Sequence, residues 1–142
     1  RDKHVTGVQT CALPISMAMT AHVVYSAIDA KRPATTSRKA IKHVIRESIG
    51  FQGLLMSDDL SMKALSGDFK DRTRASLAAG CDVVLHCNGD MAEMAPIAAA
   101  CGKLSGKARR RAEAALGRLA RRPEPLDLAE ARARFEAAFD GG

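Results

Sequence analysis

Aromatic residues are scarce: they make up 4% of the 142 positions, with no Trp and a single Tyr. So small a set argues against a stacking platform for single-stranded nucleic acid, which needs several rings in succession. Long apolar runs are also missing, and none approaches the roughly 18–20 residues of a bilayer span. The first residues lack the basic-then-apolar pattern of a secretory signal. Cysteines are few, and Cys11, Cys81, Cys87 and Cys101 contain no C-x-x-C pair. That spacing speaks against a disulfide scaffold and for reduced thiols in the cytoplasm. A chain this long with 46% hydrophobic and 27% charged residues has the profile of one globular domain.

Positive charge is concentrated rather than general. Residues 103–122 hold eight Lys or Arg and one acid, Glu113, so the net +6 of the chain resides there and the remainder sums to −1. Leu104, Ala108, Ala112, Ala115, Leu116 and Leu119 form an apolar stripe through this stretch, as in an outer helix with a solvated cationic face. A cationic face of this kind leaves nucleic acid or anionic lipid open as ligands. The expectation is nonetheless no nucleic-acid partner and no membrane.

The leading segment matches nothing in the periodicity that follows. Residues 5–15, Val-Thr-Gly-Val-Gln-Thr-Cys-Ala-Leu-Pro-Ile, resemble the conceptual translation of a high-throughput sequencing adapter. Residues 1–16 are therefore expected to be foreign and are set aside from the fold. On this reading native sequence that would precede residue 17 is missing.

From Met17 the pattern is that of strand–helix units. Ala18–Tyr25 reads as a buried strand, and Ser37 or Thr36 can cap a helix carrying Ala40, Ile41, Val44 and Ile45 on one face. Gly50 stands where such a helix stops. Gly53–Asp59 is an apolar run ending in two carboxylates, as suits a parallel strand covered on both sides. Asp71–Ala79 reads as helix stopped by Gly80, and Cys81–Cys87 as a further strand. Pro96 is expected in the first turn of a helix. Asp127 can cap a last helix that buries Leu128, Ala131, Phe135 and Phe139. His22 and Asp58 are 36 residues apart, and Asp58 and Asn88 are 30 apart. A (β/α)8 barrel of about 250 residues spends about 31 on each unit, but a doubly wound sheet fits nearly as well.

Ser57-Asp58-Asp59 is the sharpest chemical feature, since α/β folds keep reacting groups at the C-terminal ends of parallel strands. An Asp there can equally cap the following turn. Cys81, His86 and Cys87 invite a metal reading, but a strand turns them to alternating sides, so no metal site is expected.

At this point the residues carry a resemblance. Val44-Ile45-Arg46 through Gly53-Leu-Leu-Met-Ser57-Asp58-Asp59-Leu-Ser61-Met62 resembles the active-site signature of glycoside hydrolase family 3, and within it the bacterial β-N-acetylhexosaminidases. Met19-Thr-Ala-His-Val23, Pro33-Ala-Thr and Ala79-Gly-Cys-Asp-Val-Val-Leu-His-Cys-Asn88 match in order and spacing, and Ser48 is a minor departure. The resemblance covers roughly residues 17–120.

What it implies is the C-terminal part, about three βα units, of a (β/α)8 TIM barrel plus C-terminal helices. Residues 17–122 would belong to the barrel and residues 123–142 to a helical tail. The parent would be a cytoplasmic, metal- and cofactor-independent, retaining β-N-acetylglucosaminidase. It would act as a monomer on N-acetylglucosamine-containing muropeptides in peptidoglycan recycling. Asp58 matches the family's catalytic nucleophile, and Asp59 would keep the local hydrogen-bond geometry. Met62 is expected in the sugar pocket or, equally, in a helix-face core. His22 is expected at the barrel mouth near substrate or as a buried, hydrogen-bonded strand histidine. The family's Asp-x-His acid/base loop and Lys-His-Phe-Pro-Gly-type segment precede the Met-Thr-Ala-His strand and are absent here, so the chain alone is expected to be inactive. Its open edges would expose inner-face residues near Val23, Leu55 and Val84. The rival reading is a receiver-like α/β module with a Mg²⁺ and phosphoacceptor pocket at Asp58 and Asp59.

Overall fold

The computed structural model describes residues 15–120 and 125–139. The expected foreign segment, apart from Ile15 and Ser16, lies outside the described residues. Three parallel strands form one sheet in chain order: β1 (Met17–Met19), β2 (Leu54–Asp59) and β3 (Val83–Leu85). The helices are α1 (Ala40–Ser48), wound as a π-helix, α2 (Phe69–Ala79), α3 (Met91–Cys101), α4 (Gly106–Leu116) and α5 (Leu128–Phe139). Met17, Ala18 and Met19 pair with Leu54, Leu55 and Met56, and the Ser16 carbonyl accepts from Leu54 N–H at 3.0 Å.

Local chemistry sets the element ends. Ser37 Oγ accepts from Ala40 N–H at 3.2 Å, so Ser37 caps the first helix as its sequence suggests. Asp68 and Asp90 cap α2 and α3, accepting from Asp71 N–H and Ala92 N–H at 2.8 Å each. Gly80 ends α2 at φ 121°, and a Cβ there would sit 2.9 Å from Ile41 Cγ2. Gly53 is as constrained. A Cβ would lie 2.6 Å from the Ser16 carbonyl oxygen, so only glycine lets β1 and β2 begin side by side.

One face of the sheet is covered. Ile41, Leu55, Ala79 and Cys81 form a core with Ala18, Ile45 and Phe51. Leu60, Leu65 and Ile97 form a second with Phe69, Val84 and Cys101. Burial raises the Cys81 thiol to about 12, so it is an inert core group donating to the Thr35 carbonyl at 3.7 Å. Under the strand ends, Asp82 is the electrostatic centre. Its carboxylate takes Arg46 Nη2 and Arg111 Nη1 at 2.8 Å each and Leu55 N–H at 2.9 Å. Arg46 Nη1 also donates to the carbonyls of Phe51 and Gly53, pinning the entry to β2.

Several expectations are corrected. The first strand is only three residues long. From Thr20 the chain folds back on itself, with Ala34 N–H and Thr35 N–H donating to the carbonyls of Val23 and Ala21. The open face of the sheet shows Met17 and Met19, while Leu55 and Val84 pack under helices. The expected inner set was one residue out of phase, and a shift of one exchanges the faces of a strand. Pro96 lies inside α3, because Asp90 starts that helix five residues before the expected turn. In α4 only Ala115 is fully buried, beside half-buried Ala108, Arg111 and Ala112. Leu104 and Leu116 are exposed, and Leu119 is 80% exposed. Asp127 caps α5 as expected, but Leu128, Phe135 and Phe139 are exposed. A helical period states which residues share a face, not whether a neighbour covers it.

Candidate active site

β2 carries the site at its C-terminal end, and the strand is irregular there. Met56 pairs with Val83 and Asp59 with Leu85, so β2 uses one residue more than β3 over the same span. Such a bulge costs a ladder hydrogen bond and re-aims side chains. Ser57 fills the gap: it is fully buried, and its Oγ accepts from Leu85 N–H at 3.0 Å. A serine before the paired carboxylates therefore replaces a backbone acceptor.

The two carboxylates lie in different surroundings. Leu55 and Ser57 are buried, Met56 and Asp58 half-buried, and the bulge interrupts the regular alternation of sides between Met56 and Asp59. Asp58 is half-buried, and the hydrogen bond given to its carboxylate comes from Asp59 N–H at 2.8 Å. Asp59 is locked into the turn. Its Oδ1 accepts from Ser61 N–H at 3.0 Å and Cys87 N–H at 3.2 Å, and its Oδ2 accepts from Ser61 Oγ. Burial works to raise the Asp59 carboxyl. The bonds from Ser61 and Cys87, with the nearby His86, outweigh it and hold the group below the ordinary carboxylate range. The capping role that an Asp could take at this position thus falls to Asp59.

His22 holds the same turn from the other side. Its Nε2 is 2.9 Å from the Asp59 carbonyl oxygen, and its Nδ1 is 2.8 Å from Thr35 Oγ1. A carbonyl only accepts, so Nε2 carries the hydrogen. Nδ1 of the neutral ring then accepts from Thr35, whose oxygen accepts in turn from Thr20 Oγ1 at 2.9 Å. Both nitrogens are thus occupied, and His22 holds the Asp59 peptide. It is hydrogen-bonded as the second alternative expects, but half-buried and in a bend after β1 rather than in a strand. Met62 sits in the turn after β2, exposed and outside any helix, its N–H 3.2 Å from the Asp59 carbonyl.

A residue that the sequence raised only for a metal reading stands behind Asp59. The His86 side chain is 6% exposed, its Nε2 3.1 Å from Glu93 Oε2 and its Nδ1 3.9 Å from Asp59 Oδ1. Phe69 meets the ring edge-on at 5.4 Å. Only its place in a strand two residues beyond Val84 hinted at this burial. Cys81, His86 and Cys87 do not converge: the first is in the α1–α2 core, the second between carboxylates and the third exposed. The Asp59 carboxylate is taken up by Ser61 and Cys87, and no observation favours the receiver-like reading. Among the described residues no group of three His, Cys, Asp or Glu is placed to hold a metal ion.

A half-buried carboxylate at the C-terminal end of a parallel strand, with its neighbour tied into the turn, defines an α/β unit built around a strand-end acid. The model of the glycosyl hydrolase family 3 N-terminal domain matches residues 7–121, and the chain belongs to that family. The match begins within the leading segment. A beta-hexosaminidase of Bordetella pertussis (strain Tohama I) is 46% identical over 77 residues, 53% of this chain and 22% of its own length. A beta-hexosaminidase of Neisseria meningitidis serogroup C is 49% identical over 72 residues, 49% of this chain and 20% of its own. Among solved structures, a family 3 beta-N-acetylglucosaminidase from Paenibacillus sp. str. FPU-7 aligns with a TM-score of 0.67 at 25% identity. That alignment covers 80% of this chain and 24% of the other. The chain spans about a fifth of the length of these curated relatives.

Proposed function

We propose that this chain supplies the nucleophile side of a retaining β-N-acetylhexosaminidase, with Asp58 as the nucleophile. The observation that carries the reading is the contrast at the end of β2: the Asp59 carboxylate is consumed by the turn, while the half-buried Asp58 carboxylate is given a hydrogen bond by the neighbouring Asp59 N–H. In the proposed reaction an Asp58 oxygen attacks the anomeric carbon and the glycosidic C–O bond breaks. The leaving oxygen takes a proton from an acid outside this chain. Water then attacks the same carbon, that acid's conjugate base accepts its proton, and Asp58 is released with configuration retained. Asp59 is not the second catalytic carboxyl, because that group must lie across the scissile bond.

The finer features belong to the same proposal. The three βα units are part of a (β/α)8 barrel over residues 17–122, with residues 123–142 as a helical tail and residues 1–16 foreign. Among the described residues, β1 and β3 each pair on one side only, and the open face shows Met17 and Met19. Both observations support a sheet that continues beyond the described residues. Met62 borders the sugar site, and His22 acts through the Asp59 peptide. The relatives named beta-hexosaminidase support a terminal β-linked N-acetylglucosamine substrate. A muropeptide aglycone, peptidoglycan recycling, a cytoplasmic setting and a monomeric, cofactor-free parent complete the reading. No helix of the described residues is long and apolar enough to cross a membrane.

The test joins residues 17–142 to an upstream barrel half bearing the acid/base loop and follows hydrolysis of an aryl β-N-acetylglucosaminide by NMR. The β-anomer should form first and then mutarotate, while residues 17–142 alone leave an alkyl glycoside uncleaved. An α-anomer formed first would contradict the retaining assignment. Turnover of the alkyl glycoside by the short chain would contradict the need for an outside acid.

A further inference from the structure

A second recess lies on the outer wall, away from Asp58. The loop through Lys31–Thr36, the start of the first helix at Arg38, the 64–66 turn and helix α2 enclose a cleft of about 550 Å³. Its lining includes Lys31, Arg32, Arg38 and Arg72, and no Asp or Glu. Ala75, Ala78 and Ala79 form the α2 wall, so the cations surround a space rather than fill it.

These four cations differ in what they already do. Arg72 is structural: its Nε and Nη1 donate to the carbonyls of Gly67 and Leu60 at 3.0 and 2.7 Å, which fixes the guanidinium in place. Among the described residues, Lys31, Arg32 and Arg38 make no side-chain hydrogen bond or ion pair. The carboxylate nearest in sequence, Asp29, accepts from Ser37 Oγ at 2.8 Å and Lys31 N–H at 3.1 Å. These bonds, with Lys39 and Arg32 nearby, keep its carboxyl below the ordinary range against the opposing effect of burial. Asp29 is thus committed to the loop that carries the cations.

Three exposed cations line this space beside a fixed fourth, and a ligand bearing two or more negative charges can meet several of them at once, as one carboxylate cannot. Guanidinium groups also match phosphoryl oxygens two at a time. We propose that this cleft between the first helix and α2 binds a phosphoryl group, as a phosphate ester or pyrophosphate. The site is built from the 31–38 segment, the 64–66 turn and α2 and is independent of the activity assigned to Asp58.

The experiment titrates the 142-residue chain with inorganic phosphate, pyrophosphate and acetate at constant ionic strength, read by amide chemical shifts. Phosphate should shift Thr36, Ser66 and the Arg32 and Arg38 signals with a Kd of about 1 mM, the class expected of a few charge-assisted bonds. Pyrophosphate should bind at least several-fold more tightly and acetate should cause no saturable shift. In Arg32→Ala/Arg38→Ala the shifts should vanish with the melting temperature nearly unchanged, since both side chains are exposed and what is lost is the weak attraction of Arg32 to nearby Asp29. Equal responses to all three anions, no saturable response to phosphate, or full binding by the double variant would each overturn the proposal.

Discussion

Asp58→Asn in the completed enzyme should lower kcat by on the order of 10⁴- to 10⁶-fold, the scale seen when a covalent nucleophile is removed. The fold should not change. The bond given to the Asp58 carboxylate is from Asp59 N–H at 2.8 Å, and an Asn carbonyl oxygen accepts it equally well. What is lost is the second anionic oxygen and the charge that develops bonding to the anomeric carbon. Asp59→Asn should behave differently. It puts an amide where Ser61 N–H, Ser61 Oγ and Cys87 N–H all donate, so it loosens the turn, with a smaller loss in kcat and a larger one in stability. Steady-state kinetics with thermal melts of both variants separate the two roles. A folded Asp58→Asn enzyme with near-normal kcat would refute the assignment.

The largest stability effect is expected at Asp82, far from any chemistry. Arg46 and Arg111 both bond its carboxylate at 2.8 Å, and the Asp82 side chain is only 5% exposed. Asp82→Asn keeps the shape and removes the charge, leaving two guanidinium groups beside each other with no counterion. Burial and the nearby Arg111 already pull the Arg46 guanidinium below its ordinary value, against Asp82, which supports it. Removing one partner of a buried ion pair costs about 3–5 kcal/mol. A three-stranded sheet with two open edges has little stability to spare, so the variant should lose cooperative unfolding altogether. Urea titration followed by far-ultraviolet circular dichroism reads this directly. A midpoint within error of the parent chain would show that the Arg46–Asp82–Arg111 cluster is not a keystone of the fold.

How far the sequence foretold the molecule depends on what each pattern can encode. The run Leu54–Asp59, the helix ended by Gly80 and the caps at Ser37 and Asp127 were legible because each depends on neighbours within four residues. Ser57-Asp58-Asp59 was legible as a strand-end acid pair, and the family resemblance singled out Asp58. The different fates of Asp58 and Asp59 depend on the bulge between Met56 and Asp59, and a one-residue slip between strands leaves no mark in composition. The burial of His86 between two carboxylates was missed for a related reason: Glu93 reaches it from a helix and Asp59 from another strand. The stripes through Leu104–Leu119 and Leu128–Phe139 failed in the opposite sense. Their spacing is helical, but coverage is a tertiary property, and Phe139 is 71% exposed.

The central claim, that Asp58 forms the glycosyl ester, is tested most directly by trapping it. The completed enzyme is incubated with a 2-acetamido glycosyl donor whose leaving group is good and whose ester hydrolyses slowly. Proteolysis and tandem mass spectrometry then locate the added sugar. One hexosamine mass on the peptide containing Leu54–Asp59, with fragment ions placing it on Asp58 and its absence in Asp58→Asn, is the predicted result. A label on Asp59, or turnover of the donor with no label on this strand, would contradict the account.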